Sequence, residues 1–323
     1  MAPEPWLSVV VPTRARFTRL RWLLNALEEQ SLPADEWEVI VAHDGVPETA
    51  RIVAEHPLAA AGRLHGVSLD HLAGPAAKRN LGWRAARGST IVFTDDDCRP
   101  PPEWLDRLAA SVRGRPGAVV QGATRPDPDE LALTRVTPWW RSQEIAPPTL
   151  EAQTCNIAYP RDLLERLGGF DERTFSGVGG EDADLCVRAI GAGAEQVSSP
   201  ATTFHAVEDM GLLGQIRVAL RWTDVVAIYA RHPRLRRRLI LGLFWKPRHP
   251  LVLLATVGLL LSPRSRGALV LCLPYAWRVR PSRRHGLRAF AVALPTIPAR
   301  GLIDLAEVVA LARGSIAHRT LVL

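Results

Sequence analysis

The sequence predicts an α/β protein: a doubly wound, mostly parallel sheet with helices on both faces, followed by a helical, basic and apolar C-terminal region. Three observations predict it. Short apolar runs alternate with amphipathic stretches over residues 7–94 in the order β-α-β-α-β-α-β, the order of a sheet built from crossover units. The runs are near-continuously apolar, as parallel strands covered on both faces must be. Charge is also split. Residues 1–205 hold 21 Lys/Arg against 28 Asp/Glu, net −7, whereas residues 206–323 hold 19 against 5, net +14. This asymmetry implies two domains, 1–210 and 211–323, the second with an anionic partner.

Taken in order, "LSVVV" (7–11) reads as a buried strand and "FTRLRWLLNALEEQ" (17–30) as a helix by its apolar spacing. "WEVIVA" (37–42) is a second strand, and "VPETARIVAEHP" (46–57) a helix that Pro57 stops. "LHGVSLD" (64–70) is a third strand. "GPAAKRNLGWRAARG" (74–88) is a helix with Pro in its first turn and Gly past its end, and "TIVFT" (90–94) a fourth strand. Residues 124–150 are rich in proline and read as a loop crossing the surface. "RDLLERLGGF" (161–170) and "EDADLCVRAIGAG" (181–193) read as helices, "AEQVSSPATTFH" as a strand, and 211–232 as one long amphipathic helix.

Residues 239–279 change character. "LILGLFW", "LVLLATVGLLL" and "GALVLCLPYAW" are apolar but separated by "KPRHP" and "SPRSR". A spanning helix needs about 20 apolar residues, and none of these runs reaches that. Their basic punctuation, with "RLRRR" (234–238) and "SRRHGLR" (282–288), predicts interfacial helices or a shallow hairpin beside anionic headgroups. The four cysteines are widely spaced, with no C-x-x-C. That pattern excludes a disulfide framework and a zinc site and suits a reducing cytoplasm. The N-terminus lacks a basic region followed by an apolar core, so no secretory signal is expected.

"TDDDC" (94–98) sets three carboxylates at the end of the fourth strand. Ligands of open α/β sheets bind beyond such strand ends. Hard oxygen ligands favour Mg²⁺ or Mn²⁺, and an ion carrying a diphosphate would offset the repulsion. In an extended segment Asp95 and Asp97 would face one ligand while Asp96 turned aside. Neighbouring strand ends carry suitable partners: Thr13, Arg14 and Arg16 after the first strand, Asp44 after the second, and Lys78 and Arg79 in the opening turns of a helix.

"SVVVPTRAR", "VIVAHDG", "GPAAKRNLGWRAARGSTIVFTDDDCRPPPEWL" and "LGGFDERTFSGVGGEDADLCVR" together resemble successive motifs of the family 2 glycosyltransferases, inverting enzymes with the GT-A fold. The resemblance implies a D-x-D element, with Asp95 on the ribose side and Asp97 on the metal. Asp96 and the "PTRAR" residues Pro12, Thr13, Arg14 and Arg16 join the nucleotide-sugar-binding set, and Asp44 contacts the base. It makes Asp182 the catalytic base and Glu181 an acceptor contact. His205 completes the metal site with Asp97 and Asp95, and Asn156 and Gly180 lie on the acceptor side. Trp140, in the proline-rich loop with Trp139, stacks on a sugar or apolar acceptor or closes the core.

The chemistry gives its own reason for Glu181 and Asp182. Inverting transfer displaces the diphosphate directly, so a carboxylate opposite it must take the proton of the attacking hydroxyl. A glycine pair before the helix lets the backbone come close. The field at a helix start favours ionised carboxylates, so a lowered pKa is expected for the base. Lys78 or Arg79 would steady the leaving diphosphate. The expected activity is transfer from a nucleotide-diphosphate sugar, UDP first, to a lipid-linked or cell-envelope glycan, peripherally on the cytoplasmic face of the cell membrane. The alternatives are a nucleotide-sugar-binding module without turnover and a nucleotidyltransferase of similar architecture. No G-x-G-x-x-G follows the first strand, which argues against a dinucleotide dehydrogenase. Nucleic acid is not an expected partner, since the basic tail is interrupted by aliphatic rather than stacking residues.

Overall fold

A computed structural model describes residues 5–280 and 294–323. The segment "SRRHGLR", counted above toward the basic face, lies outside the described residues. The chain divides into two compact units, one formed by residues 1–130 and 142–206, the other by 131–141 and 207–323.

The first unit is built on an eight-stranded sheet. Its parallel half contains β1 (Leu7–Pro12), β2 (Trp37–His43), β3 (Leu64–Ser68) and β4 (Thr90–Phe93), ordered β3-β2-β1-β4. The crossovers are α1 (Phe17–Glu28), α2 (Pro47–Glu55) with a short α3 (Pro57–Ala60), and α4 (Pro75–Ala85). Every residue of β1, β2 and β4 is buried, so their unbroken apolar runs reflect cover on both faces. β3, at the edge, buries only Leu64 fully. Pro57 does end α2, and it also begins α3, where a residue with fixed φ and no N–H costs nothing at the first position.

Beyond β4 the sheet becomes mixed, which the sequence reading did not foresee. The second half contains β5 (Cys98–Arg99), β6 (Val119–Pro126), β8 (Ile157–Pro160) and β9 (Gln196–His205); β7 (Trp140–Arg141) lies in the other unit. The order continues β4-β8-β6-β9-β5, with β8 antiparallel to both β4 and β6, and β5 antiparallel to β9. α5 (Trp104–Gly114) precedes β6; α7 (Arg161–Leu167) and α8 (Glu181–Gly191) follow β8. One core cluster unites Leu20, Leu24, Trp37, Trp104 and Leu108. A second holds Ile40, Trp83, Phe93, Tyr159 and Leu185.

The second unit is helical: α6 (Leu133–Val136), α9 (Gly211–Ala219), α10 (Val225–Arg231), α11 (Arg248–Leu261), α12 (Leu273–Val279) and α13 (Ile297–Ala317). Two expectations change here. Residues 131–141 belong to this unit rather than to the first, because β7 pairs with β10 (Glu208–Asp209) and Gln215 Nε2 donates to the Trp139 carbonyl at 2.8 Å. The long helix over 211–232 is two helices separated by a 3₁₀ turn at Trp222–Asp224, where Trp222 packs on Trp245 with ring centroids 5.4 Å apart. Tertiary packing overrides an amphipathic pattern that contains no proline. Among the described residues no helix is long and apolar enough to cross a membrane.

Candidate active site

The ends of three of the four parallel strands, β1, β2 and β4, carry charged groups. After β4 the chain turns at once, and the Cys98 N–H donates to the Asp95 carbonyl at 3.0 Å. Asp95–Asp97 are therefore in a turn, not an extended segment, and their side chains fan out instead of alternating. Asp96 points inward and accepts from Thr13 Oγ1 at 2.6 Å. Asp97 pairs with Arg16, which also lies 3.5 Å from Asp96. Asp95 takes a third direction, to Arg79 Nη2 at 2.9 Å.

Arg79 is the hub of the site. Its Nη1 lies 3.1 Å from Glu181 Oε1 and 3.4 Å from Asp182 Oδ1. One buried guanidinium from α4 thus joins the acid at the end of β4 to the acids at the start of α8. The crowded carboxylates are compensated within the chain by Arg16 and Arg79. The sequence reading assigned Arg79 to a diphosphate; the structure gives it carboxylate partners.

The entry to α8 explains how two acids reach Arg79. Gly179 and Gly180 have φ of 107° and 106°, a region closed to side chains with a Cβ. Glu181 Oε2 then accepts the Gly179 N–H at 2.8 Å. Asp182 Oδ2 accepts both the N–H and the hydroxyl of Thr154 at 3.1 Å. Thr154 stands beside Asn156 in "TCNIAYP", yet nothing in its local sequence marks it as an anchor of the base candidate.

Burial and charge set the protonation of this cluster. Burial pushes the Asp182 carboxyl up to about 8, against the pull of Arg79. The lowered value expected from the helix start is overturned, because desolvation outweighs the helix field. Asp96 is pushed up to about 7, again by burial first and then by Asp97. Burial would also raise Asp97, but His205 and Arg16 outweigh it and hold Asp97 below the ordinary aspartate range. Arg79 stays charged despite its burial, because Asp182, Asp95 and Glu181 raise its pKa.

His205 ends β9, in register with Cys98, and its Nε2 lies 3.5 Å from Asp97 Oδ1. Its Nδ1 lies 2.9 Å from the Ala206 carbonyl, which can only accept, so Nδ1 carries hydrogen. Nε2 lies 3.2 Å from the Gln143 amide nitrogen, which can only donate, so its lone pair accepts from Gln143 with Asp97 Oδ1 3.5 Å away. Two acceptors facing one another suit a shared cation or a proton on Nε2. Asp95 does not join them, being held on Arg79. Among the described residues no three His, Cys, Asp or Glu side chains are grouped to hold a metal ion. Gln143, which orients His205, sits in the proline-rich stretch and has no sequence signature.

The remaining candidates divide. Asp44 follows β2 with its side chain covered, 2.8 Å from Lys78 Nζ and 3.9 Å from Arg14 Nε. Lys78 is therefore turned to Asp44. Pro12 closes β1 opposite Ala42. Asn156 is not on an open face: it accepts from Trp104 Nε1 at 2.9 Å and donates to the Ala123 and Ala201 carbonyls at 2.7 and 3.2 Å. Its amide is consumed in the core, which corrects the acceptor-side expectation. Trp140 lies in the second unit, half-exposed and paired with Asp209.

Residues 8–167 match the family model described as Glycosyl transferase family 2. The chain belongs to that family. The match stops before Glu181 and Asp182, so the family 2 model alone does not reach the α8 acids. Among curated relatives, glycosyltransferase AglE of Haloferax volcanii is 27% identical over 178 residues, covering 54% of this chain and 58% of AglE. Validoxylamine A glucosyltransferase of Streptomyces hygroscopicus is 30% identical over 220 residues, covering 57% of this chain and 51% of that protein. The chain spans about half the length of these curated relatives. Among solved structures, a mannosyltransferase of Pyrobaculum calidifontis in complex with GDP-Man and Mn²⁺ aligns over 98% of this chain and 87% of its own, with a TM-score of 0.59 and 22% identity. Staphylococcus aureus TarS 1–349 in complex with UDP aligns over 97% and 92%, with a TM-score of 0.51 and 17% identity. These likenesses establish a common GT-A type fold for this family 2 chain.

Proposed function

We propose that this chain catalyses inverting transfer of a sugar from a nucleotide-diphosphate sugar, UDP-linked before others, to a hydroxyl of a lipid-linked or cell-envelope glycan. The observation that carries this reading is the Arg79 bridge, with the donor-side acid Asp95 on one side and the acceptor-side acids Glu181 and Asp182 on the other. Relatives named as glycosyltransferases, and structural neighbours solved in complex with GDP-Man, UDP and UDP-GlcNAc, support the donor class. We place the enzyme peripherally on the inner face of the cell membrane, where an anionic surface would meet the basic C-terminal unit.

In this mechanism the acceptor oxygen attacks the anomeric carbon as the bond to the diphosphate breaks, and Asp182 takes the hydroxyl proton. Thr154 fixes the Asp182 carboxylate, and its raised pKa gives it the basicity that an ordinary aspartate lacks. Glu181 aligns the acceptor. Arg16 meets the growing negative charge of the leaving group, Arg79 holds Asp95, Glu181 and Asp182 in place, and Asp44, Lys78 and Arg14 flank the nucleoside. Asp97 and His205 would hold one Mg²⁺ or Mn²⁺, a carboxylate held ionised and an imidazole whose Nε2 would exchange the Gln143 amide for the ion. Such an ion, when bound, supplies positive charge against the diphosphate.

Two measurements check this reading. A donor at about 100 times its Kd stabilises a fold by about 2.7 kcal/mol. One nucleotide diphosphate among the UDP, dTDP and GDP sugars should therefore raise the melting temperature by several degrees, and more with Mn²⁺ or Mg²⁺ than with EDTA. If none does so at millimolar concentration, the proposal fails. The second concerns pH. A base must be ionised in the free enzyme, and Asp182 is pushed up to about 8. Thus kcat/KM should rise about tenfold per pH unit up to about pH 8 and level off above it. A profile flat from pH 5 to 9 would remove Asp182 from the base role.

A further inference from the structure

Beyond residue 225 the second unit buries its acids. From residue 225 to the C-terminus the sequence has only two acidic side chains, Asp304 and Glu307, and both are buried on α13. Glu307 is held by Lys246 Nζ at 2.5 Å and His249 Nε2 at 3.0 Å. Asp304 accepts from Tyr275 OH at 2.9 Å and lies 3.4 Å from Arg248. The outer surface of this stretch consequently displays cationic and apolar groups with no anionic side chain among the described residues.

The apolar groups gather on the pair formed by α11 and the segment 266–279. The two arms meet closely at Gly258, where a Cβ would fall 2.7 Å from the Ala268 carbonyl and 2.9 Å from Leu271 Cβ. Their inward residues, Val252, Ala255 and Tyr275, form a core with Val308. Outward stand Leu260, Val270, Leu273 and Trp277, exposed by 69, 60, 62 and 71%. Exposed Arg264 and Arg266 occupy the turn between the arms, and Arg280 stacks 3.4 Å from the Trp277 ring at the far end. Large aliphatic groups in water, bracketed by arginines and free of acids, form an arrangement that enters the headgroup boundary of an anionic bilayer. α11 has 14 residues, about 21 Å at 1.5 Å each, against a hydrocarbon core of about 30 Å; the pair lies in the interface and does not span it.

We propose that the α11–α12 hairpin is the membrane-docking surface, inserting Leu260, Val270, Leu273 and Trp277 among anionic lipids while Arg264 and Arg266 pair with their phosphates. This rests on the peripheral location proposed above and names the surface responsible. The test is flotation of the full chain with vesicles of phosphatidylcholine alone and with 30 mol% phosphatidylglycerol, chosen as a working composition of about that value. The wild type should float with the anionic vesicles and lose most binding in high salt. R264E/R266E should reduce partitioning at least about tenfold and leave residual binding that salt barely changes, whereas L260S/W277S should reduce it with residual binding that high salt removes. Unchanged melting temperatures would confirm that both variants fold. If the wild type never floats, the membrane location itself is overturned. If it floats and both variants float equally well, the location stands and this surface is wrong. If the wild type sediments as a dimer that L260S/W277S converts to monomer, without flotation, a second copy covers the face and the bilayer proposal is overturned.

Discussion

Asp182→Asn should lower transfer on the order of 10³-fold while leaving donor affinity unchanged. The substitution keeps the side chain's shape and one carbonyl oxygen, so the Thr154 N–H and hydroxyl retain an acceptor. The amide has no basic oxygen able to take a proton at neutral pH. General base catalysis contributes about 10² to 10⁴ in rate, which sets the size of the loss. Asp95 and Glu181 still flank Arg79 in the variant, so the donor side keeps its charge balance. The measurement is kcat for transfer beside the nucleotide-sugar Kd from titration. A variant that binds donor and transfers at the wild-type rate would refute the base assignment. A variant that loses donor binding as well would mean that Asp182 acts by holding Arg79 in place.

That outcome matters because Arg79 is where sequence reasoning and geometry part. From sequence, a basic residue in the opening turns of a helix reads as an anion ligand, since helix N-termini attract phosphate. In the folded chain the same turn brings Arg79 within reach of three carboxylates from two other elements. No local signal encodes that meeting. It depends on the sharp turn after β4 and on the left-handed Gly179–Gly180 entry to α8. The parallel half of the sheet was legible because each strand is a short apolar run followed by a helix with a proline or glycine boundary. The mixed half was legible only in β9, read as a strand from "AEQVSSPATTFH". β5 is two residues long, and β6 and β8 flank a stretch whose prolines suggest only loop. The acids were found individually because strand ends and helix starts are recognisable positions. Their anchors, Thr154 on Asp182 and Gln143 on His205, are ordinary polar residues whose importance comes only from what they touch.

Asp97→Ala should abolish metal-dependent donor stabilisation and reduce kcat on the order of 10³-fold. Asp97 is the acid of the triplet that stays ionised below the usual range, whereas Asp96 is pushed up to about 7 by burial. It alone of the three faces the Nε2 of His205, so its removal leaves the imidazole without its carboxylate partner. A cation against a developing phosphate charge provides several kcal/mol, and each 1.36 kcal/mol is about tenfold in rate. The fold should survive. The link to β9 runs through the Asp97 backbone carbonyl, which accepts the Ala206 N–H at 2.9 Å and needs no side chain. Arg16 retains Asp96 at 3.5 Å, and Asp96 loses the neighbouring charge that disfavours its own ionisation. Calorimetry without ligand should therefore give a melting temperature close to that of the wild type, while UDP-sugar plus Mn²⁺ no longer raises it. If the variant still responds to metal and moves sugar at the wild-type rate, the turn after β4 does not hold the ion, and the charge on the leaving diphosphate is met elsewhere.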